Sequence, residues 1–172
     1  SGAARLKRLA ANLARTGLAA ESVAADGRIW RPEAPVDAVL LDAPCSATGT
    51  IRRHPELPWI RDEGAVTRNA ATAAQLLDAA FVMLKPGGVL VFAVCSLEAE
   101  EGERQIEAFL GRTKGARVLA ADPARFGLPP DAARGGFLRL LPCFAADKGG
   151  MDGFFVAGLI RDAAMDAPFS GR

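Results

Sequence analysis

The chain has 172 residues, half of them apolar, and a net charge of +1. This is enough apolar material for a single globular domain with a core, while no run approaches the ~20 apolar residues of a membrane span and no strong basic field advertises a nucleic-acid partner. The three cysteines are widely separated and odd in number, which argues against a disulfide framework, and the absence of an apolar secretion signal makes a cytoplasmic location the expectation.

In chain order, residues 3–16 carry Leu6, Leu9 and Leu13 at helical spacing, with Gly17 as a stop. Ser22 to Ala25 reads as a short weak strand running into Asp26-Gly27. Val36–Asp42 (VDAVLLD), bounded by Pro35 and Ala43-Pro44, reads as a buried parallel strand. A polar, proline-marked loop spans about residues 43 to 63. Val66, Ala70, Ala73, Leu77, Ala80 and Leu84 then form one face of a helix over 64–84, ended by Lys85-Pro86-Gly87-Gly88. Val89–Val94 (VLVFAV) is a second buried strand, and a helix is expected over 97–111, opened by Glu98, Glu100, Glu101 and Glu103. A short strand near Ala116–Ala120, an irregular stretch at 122–150 and a closing strand over Gly153–Ile160 complete the chain. Strand, helix, strand at these lengths is the crossover of a parallel sheet covered on both faces. A glycine-rich turn after a first strand is missing, because Gly87-Gly88 precedes a strand.

Ligands of open α/β sheets bind at the carboxyl ends of strands, where Asp26, Asp42 with Cys45, and Cys95 with Ser96 fall. A free cysteine is ordinarily a small buried hydrophobe, and Asp42-Ala43-Pro44 is also a plausible turn opening. Two neighbouring strands nevertheless aim a carboxylate and two thiols at one crevice. The cations comprise 17 arginines against 4 lysines. Arginine suits phosphate recognition and base stacking, and is also what a GC-rich genome produces. No CxxC pair exists and His54 is the single histidine, so no metal site is expected.

Leu40–Glu56 (LLDAPCSATGTIRRHPE) resembles the fourth motif of the Nol/Nop/Sun family of RNA cytosine-5 methyltransferases. Val94–Glu103 (VCSLEAEEGE) is similar to its sixth motif and Met151–Arg161 (MDGFFVAGLIR) to its closing strand, while Arg-Arg-His-Pro at 52–55 favours the bacterial branch. The resemblance implies a Rossmann-like α/β fold with a doubly wound, mostly parallel sheet and an antiparallel closing strand. It also implies methylation of cytosine carbon 5 in RNA, ribosomal first and transfer RNA second, with S-adenosyl-L-methionine as donor. By the same resemblance Cys95 is the nucleophile, and Cys45 assists release as or beside the base. Asp42 polarises the ring near N3 and lies beside the cofactor, and Asp26, in Asp26-Gly27-Arg28, contacts its adenine. Arg52, Arg53 and His54 follow the fourth motif. The two arginines are candidates for the RNA backbone, with a solvated loop the competing reading.

The family's glycine-rich first motif, its ribose-gripping acidic residue and the bacterial branch's RNA-binding extension have no counterpart in the sequence. Residues 1–172 are therefore expected to be the C-terminal part of one catalytic domain, inactive alone. A non-catalytic RNA- or partner-binding fragment is the alternative reading. Asp42-Ala43-Pro44-Cys45 argues against methylation of an exocyclic nitrogen, which uses an Asp/Asn-Pro-Pro-aromatic turn and no thiol. A cysteine hydrolase lacks an orienting partner for His54. Val94 stands where Thr is commoner, and Cys143 where histidine is often found; neither is assigned a role.

Overall fold

The structure, a computed structural model, describes residues 2–62 and 64–163. The chain divides into two compact units, Ser1–Arg31 and Pro32–Arg172.

In the first unit, helix α1 (Gly2–Thr16) half-buries Leu6 and Leu13 and leaves Leu9 exposed. It stops where the sequence places the stop. Gly17 takes φ 67°, its amide donates to the Ala14 carbonyl (3.3 Å) and the Leu18 amide to that of Leu13 (3.1 Å), the two bonds of a Schellman cap. The strand expected at Ser22 to Ala25 does not form. A strand needs a neighbour to take its amides and carbonyls, and no described strand pairs with these exposed residues. Asp26 instead organises a turn: its carbonyl accepts from the amides of Ile29 (3.0 Å) and Trp30 (2.9 Å).

The second unit is a six-stranded mixed sheet with helices on one face. Its elements are β1 (Val36–Asp42), the short α2 (Leu57–Ile60), α3 (Ala65–Val82), β2 (Leu84–Val94), α4 (Glu103–Arg112), β3 (Ala116–Leu119), β4 (Ala133–Arg134), β5 (Phe137–Leu140) and β6 (Phe154–Arg161). The strand order is β1-β2-β6-β5-β4, with β3 also on β6. The pair β1–β2 is parallel, as the sequence pattern implies, and β6 runs antiparallel to β2, as the resemblance implies. The pairs β3–β6, β4–β5 and β5–β6 are antiparallel too, so the described sheet is mixed rather than mostly parallel. Leu77, Ala80 and Phe81 of α3 and Ile106 and Phe109 of α4 pack on Leu90, Phe92 and Val94 of β2 and on Phe155, Ala157 and Leu159 of β6. Edge-to-face rings join elements within each layer, Phe81 of α3 to Phe109 of α4 at 5.2 Å and Phe137 of β5 to Phe155 of β6 at 5.5 Å between centroids.

Four expectations are corrected. First, β1 has a neighbour on one side only among the described strands and is not buried: Val39 and Leu41 reach the core, whereas Leu40 is 73% exposed. An apolar run alone does not report whether both faces are covered. Second, helix 64–84 ends at Val82, and Lys85-Pro86-Gly87-Gly88 lies inside β2 as an irregularity, with Val36 opposite Leu84 but Ala38 opposite Val89. Gly87 takes φ 78° there, and a Cβ on Gly88 would stand 2.8 Å from the Lys85 carbonyl. Third, α4 begins at Glu103, because residues 97–102 form a turn in which Glu101 reaches across to Ser46 and Glu100 pairs locally with Arg104. Fourth, the stretch at 122–150 contains β4 and β5, and β5 adds to β6 through Leu138 opposite Val156.

Candidate active site

Parallel pairing brings the ends of β1 and β2 level. Asp42 is in register with Ala93, and the Ala43 amide donates to the Ala93 carbonyl at 3.0 Å. The two chains then turn, and the thiols that follow them meet: Cys45 Sγ and Cys95 Sγ lie 3.5 Å apart, both half-buried. Asp42 is exposed, has no hydrogen-bond or ion-pair partner among the described residues, and lies close enough for its charge to be felt at Cys95. The structure thus brings Asp42, Cys45 and Cys95 together at the ends of β1 and β2.

The thiols are electrostatically unequal. The hydrogen bond from Cys45 lowers the pKa of Cys95 to about 7, against burial and the charge of Asp42, which push it up. The Cys45 thiol is pushed strongly upward by the same bond and by burial. Of the two, Cys95 is the thiol that ionises first, with Cys45 the partner that keeps its proton.

The two loops are bound together by residues adjacent to the cysteines. The Gly49 amide donates to the Cys95 carbonyl (3.0 Å), and the Leu97 amide to Thr48 Oγ1 (3.0 Å). Ser96 Oγ lies 3.2 Å from Ser46 Oγ and 3.3 Å from Thr48 Oγ1, and accepts from the Glu98 amide (3.0 Å). Arg139, on β5, donates to the Ser96 carbonyl (2.6 Å), pairs with Glu103 and lies over the Phe155 ring at 5.0 Å. Glu101 is fully buried and takes the Ser46 amide (2.8 and 3.0 Å) and hydroxyl (2.6 Å). Sequence reasoning missed Glu101, Ser46 and Arg139. Arg139 alone left a signal, a charge inside the apolar run Phe137-Leu138-Arg139-Leu140. Nothing in the glutamate-rich stretch distinguishes Glu101 from its exposed neighbour Glu100.

The loop arginines are engaged within the fold. Arg52 Nη2 donates to the Gly149 carbonyl (2.6 Å), and Arg53, whose side chain is 59% exposed, pairs with Asp152. That pairing holds Asp152 below the usual carboxylate range, and Asp152 and Arg53 both act electrostatically on Cys95 or with it. Asp152 Oδ1 is buried and has no hydrogen-bond partner. His54 Nδ1 lies 3.3 Å from Glu56 Oε1. Cys143 is exposed in a turn.

In the first unit, Asp26 is held by Arg28, whose amide (3.0 Å), Nε (3.0 Å) and Nη2 (2.6 Å) all donate to its carboxylate, keeping the pKa near 2. It lies at the rim of an open groove of about 610 Å³ walled by Leu6, Leu9, Val23 and Ala24.

The family model described as 16S rRNA methyltransferase RsmB/F matches residues 1–160. The ribosomal RNA small subunit methyltransferase B of Pseudomonas syringae pv. tomato is 44% identical over 172 residues, covering 98% of this chain and 38% of that protein. The protein of the same name from Vibrio cholerae serotype O1 is 45% identical over 139 residues, covering 77% of this chain and 32% of that protein. Among solved structures, NSun6 from Pyrococcus horikoshii with SFG aligns with a TM-score of 0.69 at 26% identity, covering 91% of this chain and 38% of that one. The chain therefore spans about a third of the length of the curated relatives it matches, and its fold is the Rossmann-like fold of methyltransferases.

Proposed function

This chain belongs to the 16S rRNA methyltransferase RsmB/F family, and from that premise we propose that it is the C-terminal part of the catalytic domain of an S-adenosylmethionine-dependent enzyme methylating carbon 5 of cytosine in RNA, ribosomal RNA above all. The observation that carries the chemistry is the 3.5 Å contact between two thiols at the ends of paired strands, with Cys95 pushed down and Cys45 pushed up by their shared hydrogen bond.

Carbon 5 of cytosine is a poor nucleophile. The Cys95 thiolate adds to carbon 6, forming the S–C6 bond and making carbon 5 enamine-like, the splitting of one hard step into easier ones. The addition displaces electron density onto N3, which takes a proton through Asp42, exposed beside Cys95, and gives it back when the S–C6 bond breaks. The bound S-adenosylmethionine supplies an electrophilic sulfonium methyl to carbon 5. The carbon 5 proton then passes to a base beside Cys45, the S–C6 bond breaks, and the Cys45 hydrogen bond stabilises the departing Cys95 thiolate. A thiol kept protonated is suited to that last task.

The residues fit the donor molecule. SFG, carried by the aligned archaeal structure, is an S-adenosylmethionine analogue. Within the first unit, Asp26 at the rim of an apolar groove is assigned to the adenine of the donor; within the second, exposed Asp42 is assigned to the donor by the same resemblance. Arg52 and Arg53 lie in the loop after Cys45 and are assigned to the RNA backbone, Arg53 through its exposed edge.

With S-adenosylmethionine and an RNA bearing 5-azacytosine at the target, the full-length protein that contains this chain is expected to form a covalent adduct stable to denaturing gels. Cys95→Ala abolishes it, and Cys45→Ala makes an adduct accumulate even on ordinary cytosine. An adduct persisting in Cys95→Ala rules the assignment out.

A further inference from the structure

The buried Glu101 touches no reacting atom in the scheme above, and burying a carboxylate is costly unless its charge is met. Its charge is met by a single residue. Both oxygens lie within bonding distance of the Ser46 amide, at 2.8 and 3.0 Å, and Oε2 also takes the Ser46 hydroxyl at 2.6 Å. Ser46 immediately follows Cys45, and Glu101 belongs to the turn that immediately follows Cys95. The clamp thus runs from one cysteine's loop to the other's.

Proton counting shows how far it reaches. A hydroxyl has one hydrogen to donate. The Ser46 hydrogen goes to Glu101, so in the 3.2 Å contact between Ser46 Oγ and Ser96 Oγ it is Ser96 that donates. Ser96 then has none left for Thr48, so Thr48 donates across the 3.3 Å contact, while Thr48 Oγ1 accepts from the Leu97 amide and Ser96 Oγ from the Glu98 amide. The relay therefore has one direction, Thr48 to Ser96 to Ser46 to Glu101, fixed by an end group that only accepts. Each hydroxyl in it neighbours a cysteine or crosses between the two loops.

The loop so held is not one the backbone prefers alone. Ala47 adopts φ 62°, a left-handed conformation unfavourable for a non-glycine residue. Contacts from elsewhere must hold it, and the Glu101 clamp grips Ser46, the residue between Cys45 and Ala47.

We propose that Glu101 is a positioning residue: by clamping the amide and hydroxyl of Ser46 it fixes the Cys45 thiol against Cys95 Sγ. The proposal rests on the reading of these cysteines as the reacting pair. In Glu101→Gln one acceptor becomes an amide donor facing the Ser46 N–H, and the relay loses its fixed direction. In Ser46→Ala the amide bond stays and the hydroxyl link is removed.

The test is the rate of Cys95 alkylation by iodoacetamide against pH, followed in the whole chain by peptide mass spectrometry. In the unsubstituted protein the rate rises with a midpoint near pH 7. In Glu101→Gln and Ser46→Ala the midpoint moves up toward the ordinary thiol value near about 8.5, slowing the reaction about tenfold at neutral pH, while thermal melting stays cooperative. A cooperatively melting Glu101→Gln with an unmoved profile overturns the proposal. If that variant does not fold, Ser46→Ala decides alone, and an unmoved profile there overturns it equally. Cys45→Ala separates the two levels: an unmoved profile there brings down the thiol pair itself, whereas a moved one beside an unmoved Glu101→Gln brings down only the clamp.

Discussion

The loop after β1 and the turn after β2 both carry a cysteine into the same crevice, but they are built by different means. Ala43 to Thr50 are almost all small residues, with one left-handed alanine and a glycine so tightly packed that a Cβ would stand 2.1 Å from the Gly153 carbonyl. Their shape is borrowed from Glu101 and Gly153. Residues 95–102 contain their own clamp in Glu101 and are anchored to the sheet by Arg139, which also pairs with Glu103 and covers Phe155. The comparison teaches that a proton-holding thiol can sit in a loop of little intrinsic stability, provided that the thiolate's turn is anchored to the core and supplies the contacts.

Several substitutions would break or sharpen that contrast. The largest effect is expected for Gly49→Ala, whose new methyl meets backbone rather than a yielding side chain. The loss is about 3 kcal/mol, the upper part of the overpacking range, visible as a lower urea midpoint at unchanged slope. Arg139→Met, which keeps an apolar stem over Phe155 but leaves the Ser96 carbonyl and Glu103 unpaired, should cost about 2 kcal/mol. That is less than a fully buried pair would lose, because the Glu103 side chain is 31% exposed. A smaller and different signal is expected from the two thiols under alkylation from about pH 5 to about pH 10. A lowered pKa keeps the thiolate populated down to lower pH, so Cys95 reacts with a midpoint near 7 while Cys45, pushed upward, stays largely unmodified. Equal profiles would remove the asymmetry between the loops. The smallest change belongs to Ala47→Gly. Relief of the left-handed strain is offset by the greater entropy of glycine in the unfolded chain, leaving stability within about 0.5 kcal/mol.

Much of this arrangement was legible in the sequence because it depends on local pattern. Gly17 as a helix stop, Val36–Asp42 and Val89–Val94 as neighbouring strands and the closing strand all follow from short-range spacing. So does the convergence of Asp42, Cys45 and Cys95, since parallel strands end at the same edge. What sequence reasoning missed depends on partners. Ser22 to Ala25 has strand character but no described neighbour, and Leu40 reads as buried although β1 has a described neighbour on one side only. Glu98 to Glu101 look like the first turn of a helix, the usual place for acids. The backbone turns there instead because Glu101 is needed at Ser46 and Ser96 Oγ takes the Glu98 amide. Arg139 was passed over inside a stretch read as irregular, although its lone charge between apolar neighbours is the mark of an inward-facing ion pair.

The central claim, that Cys95 rather than Cys45 bonds to the base, is tested most directly by locating the bond. The adduct formed on 5-azacytosine RNA would be digested with nuclease and protease and the modified peptide sequenced by mass spectrometry. The account predicts a nucleotide on the peptide containing Cys95 and none on that containing Cys45. A nucleotide found on Cys45 would contradict it.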